Sequence, residues 1–227
     1  MAPWMARIPE PELMLGEEQA LAYASGDFEI PHSRFVKLLR ERLPELSASG
    51  TAVDLGCGPG DIAIRFARAF PDWRVEALDG SPAMLKLARS ALKRAGLASR
   101  IALREARLPL DEAPRTPRDL VFSNSLLHHL ADPAVLWSSV RDFAGAAIFV
   151  MDLVRPKSPR SAQELVDTYA ADEPEVLRGD FYHSLLAAYR PREIREQLSA
   201  ASLAHFEVEL VSDRHVIVWG RVPLDGA

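Results

Sequence analysis

Thr51-Ala-Val-Asp-Leu-Gly-Cys-Gly-Pro-Gly-Asp61 is the stretch on which the reading of this chain turns. Thr51 to Leu55 is a short apolar strand, Gly56, Gly58 and Gly60 form a glycine-rich turn, and a helix follows at once. Ile62, Phe66 and Phe70 recur every four residues and mark one face of that helix. Glycines at a strand–helix junction permit positive φ and leave bare backbone against which a ligand can lie. The unpaired N–H groups of the helix start favour a polar or anionic group nearby. The dinucleotide fingerprint G-x-G-x-x-G would need glycine at 61, where the chain has Asp61.

Downstream the pattern repeats. Trp73 to Asp79 reads as a second strand ending in an acid. Ser81 and Pro82 suit the N-cap and first position of a helix with Met84, Ala88, Ala91 and Ala95 on one face, and Gly96 suits its C-cap. Arg100–Arg104, Arg118–Ser123 and Ala146–Leu153 read as further strands, with a proline-rich loop over 107–117 and a helix over Pro133–Phe143. Strands alternating with helices predict a parallel sheet covered on both faces. Ligands then sit outside the carboxyl ends of the strands, where strand order reverses. Asp54 to Gly60, Asp79, Glu105, Asn124 and Asp152 all fall at such ends.

Residues 1–50 read as an N-terminal arm and cap: a loose segment to Gly16, helices over Glu17–Ala24 and Pro31–Leu43, and a connector in which Tyr23, Asp27 or His32 can close over a ligand. Residues 154–190 break the rhythm with Pro156, Pro159 and an acidic stretch at Asp172–Glu175, and read as a helical lid insertion. Over 191–227 a helix from Pro191 and two strands, Phe206–Leu210 and His215–Trp219, complete the sheet.

The 227 residues carry a net charge of −5 and a single cysteine, Cys57. The acidic balance argues against a nucleic-acid surface, and one cysteine allows neither an intrachain disulfide nor a thiolate metal cluster. No apolar run is long enough for a membrane span, and the proline-broken start lacks the apolar core of a signal peptide. The expectation is a cytoplasmic protein with no nucleic-acid or membrane partner. Adjacent His128 and His129 lack the H-x-E or H-x-x-x-H spacing of metal motifs, so no metal is expected.

The segment Asp54-Leu-Gly56-Cys57-Gly58-Pro-Gly60 resembles motif I of the class I S-adenosylmethionine-dependent methyltransferases. Leu78-Asp79-Gly80-Ser-Pro-Ala-Met84-Leu85 is similar to their second motif, and Phe122-Ser-Asn124-Ser-Leu-Leu-His128-His129-Leu-Ala-Asp132-Pro133 to the segment after strand four. The resemblance covers roughly 51–153. It implies a Rossmann-like α/β fold: seven strands, mostly parallel with the last antiparallel, helices on both faces and a lid. It implies S-adenosyl-L-methionine as cofactor, with Asp79 on the ribose hydroxyls and Glu105 and Ala106 at the adenine, where the family usually carries aspartate. Asn124 would lie beside the methionine end, with Tyr23 closing over it. His128 is the candidate base or acceptor-positioning residue, and Asp152 a second pocket residue. The implied activity is methyl transfer to a small-molecule acceptor, for which Arg155 and Arg160 are candidate anion receivers. Other sulfonium chemistry on the same fold, a nicotinamide-dependent oxidoreductase, and a non-enzymatic interaction protein that keeps the fold are the alternatives.

Overall fold

A computed structural model of the chain describes residues 4–10, 16–26, 28–112, 114 and 116–223; Asp27 lies outside the described residues. Seven strands form one sheet: β1 (Ser49–Leu55), β2 (Asp72–Asp79), β3 (Ile101–Glu105), β4 (Arg118–Asn124), β5 (Ala144–Leu153), β6 (Glu207–Leu210) and β7 (His215–Arg221). Their spatial order is β3-β2-β1-β4-β5-β7-β6. The first five pair in parallel, and β7 runs antiparallel between β5 and β6. The covered parallel sheet expected from the strand–helix rhythm, and the seven-stranded, mostly parallel form implied by the resemblance, are the ones observed.

The inner strands read as apolar runs because both their faces are covered. In β5, Ala147 to Leu153 are all buried. On one face, α2 (Glu29–Arg42), α3 (Asp61–Ala69) and α4 (Pro82–Ala95) pack Phe35, Phe66 and Leu85 around Phe122 and Phe149 of the sheet. On the other, α5 (Ala134–Phe143) and α8 (Pro191–Ala200) bury Leu136, Trp137, Phe143 and Ile194 against Val121, Ile148 and Val218. The caps follow the local chemistry: the Ser81 hydroxyl accepts from Met84 N–H at 3.3 Å, and Gly96 closes α4 at φ 70°.

Residues 154–190 hold α6 (Pro159–Tyr169) and α7 (Glu175–Ala187), which share a small cluster of Leu153, Ala162, Val166 and Leu185. Helix α7 packs against α1 (Glu17–Ser25) and against a single 3₁₀ turn, Leu127–His129. The expected loose arm is, over residues 4–10, a strap. Met5 N–H donates to Lys157 O at 3.2 Å and Ile8 N–H to Leu186 O at 3.1 Å. The Arg7 guanidinium donates to the carbonyls of Ala187, His128 and Leu130 and stacks on the Tyr189 ring at 4.2 Å.

This arrangement corrects the role expected of Arg155. Its side chain is 2% exposed and donates to Glu193 at 2.6 Å, Ala188 O at 2.8 Å and Met5 O at 3.2 Å. All of its reach is spent joining strap, insertion and α8. Arg160 is exposed and pairs with Glu164 one helical turn away.

Phe122 tests the core. It lies on β4, 4.9 Å from the Phe66 ring and 6.0 Å from Phe35, and is fully buried. Phe122→Ala should cost about 3–5 kcal/mol, read as a lower urea midpoint with an unchanged denaturant slope.

Candidate active site

The glycine turn leaves β1 with Gly56 and Cys57 N–H both donating to Leu78 O at the end of β2, at 2.9 and 2.8 Å. Gly56 and Gly58 have φ of +72° and +52°, the left-handed region that glycine adopts without penalty. A Cβ on Gly56 would lie 2.8 Å from the Leu126 side chain, whereas one on Gly58 would meet nothing within 4 Å. Gly58 therefore presents bare backbone to open space. The Gly58 N–H donates to Asp79 Oδ2 at 2.7 Å and the Ser81 N–H to Asp79 Oδ1 at 2.8 Å, so Asp79 braces the turn. Burial raises the Asp79 carboxyl above its ordinary value, against the lowering effect of these two donors.

A cleft of about 630 Å³ opens along the carboxyl ends of β1, β2 and β4, within the usual range of small-molecule sites. Of the residues named from the sequence, Tyr23, Asp54, Gly56, Cys57, Gly58, Asp79, Gly80, Met84, Ala106 and Asn124 line it. Gly60 does not. It caps α3 at φ +87°, and its Cβ position faces Ala88 of α4 at 3.3 Å. Glu105 does not either: it ends edge strand β3 and stays exposed, and the chain enters the cleft only at Ala106–Leu108.

The segment after β4 departs most from expectation. His128 is buried and is not part of the cleft lining; His129 is. The cause is Asp152 at the end of β5. Its Oδ2 accepts from Leu127 N–H at 2.7 Å, and its Oδ1 lies 2.5 Å from His128 Nδ1. That clamp turns the first histidine inward and the second outward. Burial alone would lower the His128 imidazole, but Asp152, and more weakly Glu10, hold it above its ordinary value. Burial alone would raise Asp152, but His128 and neighbouring backbone N–H groups hold it below.

Asp54 is the opposite case. It is 1% exposed and one carboxylate oxygen is buried without a partner. Burial, and then the Asp79 charge, push it well above the ordinary carboxylate value. The Tyr23 hydroxyl is pushed up to about 12 by burial and by the charges of Asp61, Asp152 and Asp79.

Sequence reading missed Asp61 as a site residue. Its Oδ2 lies 2.7 Å from His32 Nδ1 and accepts from Arg65 Nε at 2.6 Å. His32, Asp61 and Phe28 all line the cleft, with the Phe28 ring stacked on His32 at 5.2 Å. The only signal in the sequence was position, since Asp61 opens the helix after the glycine turn.

Residues 52–143 match the family described as "Methyltransferase domain". The core is a class I methyltransferase domain. Over 112 residues the chain is 42% identical to a trans-aconitate 2-methyltransferase of Methylobacterium radiotolerans, covering 48% of this chain and 39% of that protein. It therefore spans about two fifths of the length of that relative. An uncharacterized methyltransferase of Mycobacterium tuberculosis is 26% identical over 178 residues, 76% of this chain and 87% of the relative. Among solved structures, the plantazolicin methyltransferase BpumL, in complex with a desmethylPZN analog and SAH, superposes with a TM-score of 0.67. It has 13% identity and covers 89% and 93% of the two chains. At that identity the likeness is one of fold.

The unpartnered acid of this methyltransferase domain gives a pH test. A carboxyl whose folded pKa is raised holds its proton more tightly in the folded chain. The folded state gains most below the unfolded value of about 3.9 and loses that gain as pH rises through the folded value. Asp54→Asn cannot ionise, so at pH 7 the unliganded variant should melt a few degrees higher than wild type. About 1 kcal/mol produces a shift of that size in a domain of this length. The two melting curves should converge near pH 4.

Proposed function

We propose that this chain transfers the methyl group of S-adenosyl-L-methionine to a small-molecule acceptor. The observation that carries the reading is the order of strand ends under one cleft: Ala106 just after β3, Asp79 ending β2, Asp54 and the bare Gly58 backbone at the end of β1, and Asn124 ending β4. This order suits adenine, ribose and methionine in turn. The residues fit the group, since Gly58 leaves its Cβ space empty and Asp54 keeps an orphaned, buried carboxylate oxygen for a donor. Both Asp79 oxygens already accept a backbone N–H. Each keeps a second lone pair for a ribose hydroxyl.

When bound, S-adenosylmethionine supplies a methyl on a sulfonium, which is already a good leaving group. The task of the protein residues is then placement and exclusion of water. Tyr23, Phe28, Leu126 and Leu130 give the cleft an apolar wall for an acceptor, and Asn124 and His129 give it polar atoms. His128 and Asp152 act from behind that wall as positioning residues, fixing the turn that presents His129. We assign the lid role to residues 154–190, whose α7 packs on α1 and on the turn at 127–129. A small acceptor is supported by the size of the cleft, by the acidic chain, and by relatives whose names specify trans-aconitate and plantazolicin.

Two measurements test this reading. Hydrogen bonds to a charged group contribute about 1.5–3 kcal/mol each. Asp79→Ala should therefore weaken cofactor binding at least roughly a hundredfold by calorimetry. It should also lower the unliganded melting point, because Gly58 and Ser81 N–H lose their acceptor. Binding within a fewfold of wild type would remove the ribose assignment. Labelled-methyl transfer to a panel of small organic acids and phenols should give a labelled small product. Label appearing only on protein or nucleic acid would overturn the acceptor class.

A further inference from the structure

We propose that Glu10, His128 and His129 form a binding site for one divalent transition-metal ion of the zinc class. One donor atom from each lies within 4.8 Å of the other two. Glu10 Oε1 is 3.0 Å from His129 Nδ1 and 3.5 Å from His128 Nε2. Two metal–ligand bonds of about 2.0–2.1 Å at a tetrahedral angle put donor atoms about 3.3 Å apart. The two separations bracket that value.

Neither contact is an ordinary hydrogen bond. A separation of 3.5 Å is too long. At 3.0 Å, His129 Nδ1 is near enough to Glu10 Oε1 to attract its carboxylate as an ion pair, yet the buried ring nitrogen is not aligned for a hydrogen bond to it. The ring nitrogen is therefore not aimed along the line to Glu10. Two ligands of one ion show this geometry, because each lone pair points at the ion and not at the other donor.

The surroundings complete the case. Asp152 Oδ1 sits 2.5 Å from His128 Nδ1, both side chains being 3% exposed. A carboxylate there keeps the proton on Nδ1, so an ion that binds takes the Nε2 lone pair in place of a second proton, the outer-shell arrangement of metal-binding histidines. Glu10 is steadied by the Ser184 hydroxyl, which donates at 3.2 Å. With both imidazoles neutral, the carboxylates of Glu10 and Asp152 face one nearby guanidinium, Arg7. That guanidinium is held on backbone carbonyls. The cluster is then negative overall, the sign a cation needs. Two imidazoles and one carboxylate suit zinc, cobalt or nickel over calcium or magnesium.

The test uses untagged, full-length protein stripped with chelator, without S-adenosylmethionine, so its outcome is independent of the methyl-transfer reading. Zinc is titrated by calorimetry, and cobalt by visible absorption, whose intensity reports tetrahedral coordination. Wild type should take up one equivalent and melt at higher temperature with zinc present. Glu10→Gln and His129→Gln keep side-chain size at partly exposed positions. Each should weaken binding at least about tenfold while its metal-free circular dichroism stays that of wild type. No stoichiometric uptake by wild type, or unchanged affinity in either variant, overturns the site.

Discussion

Strands β1 and β4 lie side by side and parallel, yet their chains leave in opposite directions. From β1 the chain enters α3 on the face of Phe66 and Phe122. From β4 it enters the 3₁₀ turn and α5 on the face of Trp137 and Phe143. A crevice opens between them at their carboxyl ends. The candidate cofactor cleft is built around that gap. The glycine turn floors it, Asp79 braces the floor, Leu126 and His129 form one wall, and the aromatic side chains of α1 and the start of α2 form another.

Two buried acids at strand ends show how context divides similar chemistry. Asp54 and Asp152 are equally hidden from water. Asp152 has backbone N–H groups and an imidazole within reach, so its charge is stabilised and it acts as a clamp. Asp54 has an oxygen with no partner and sits near the Asp79 charge, so ionisation is disfavoured until a donor arrives. An uncompensated buried acid costs stability. Its retention beside the glycine turn is understandable if the missing partner belongs to a ligand, as the methyl-transfer reading supplies.

The strap over residues 4–10 links the regions that the sequence kept apart. Arg7 ties the turn at 127–129 to the end of α7, Met5 accepts from Arg155, and Glu10 reaches both histidines. Trp4 and Ile8 of this segment stay exposed, so it is held by the carbonyl contacts of Arg7 and Arg155 and by Met5 against the insertion's cluster, not by a core of its own. Its place on the molecule therefore depends on the insertion and the sheet already being folded.

By itself the sequence determined the strand–helix rhythm, the seven-stranded sheet, the glycine turn and the acid ending β2. All of these rest on local rules: periods of 2 and 3.6, glycine where φ is positive, serine and proline at a helix start. Three matters were decided only by the tertiary structure. Adjacent His128 and His129 are chemically identical, and it took Asp152, on a strand two elements later, to turn one inward and leave the other at the cleft. Glu105 and Ala106 are neighbours, and the edge position of β3 exposes the first while the second enters the cleft. Arg155 read as a candidate anion receiver and the segment holding Glu10 as a loose arm, yet each side chain is pinned by partners far away in sequence. Local pattern specifies which backbone a segment adopts. Which of two neighbouring side chains meets a ligand depends on long-range partners that no spacing in the chain encodes.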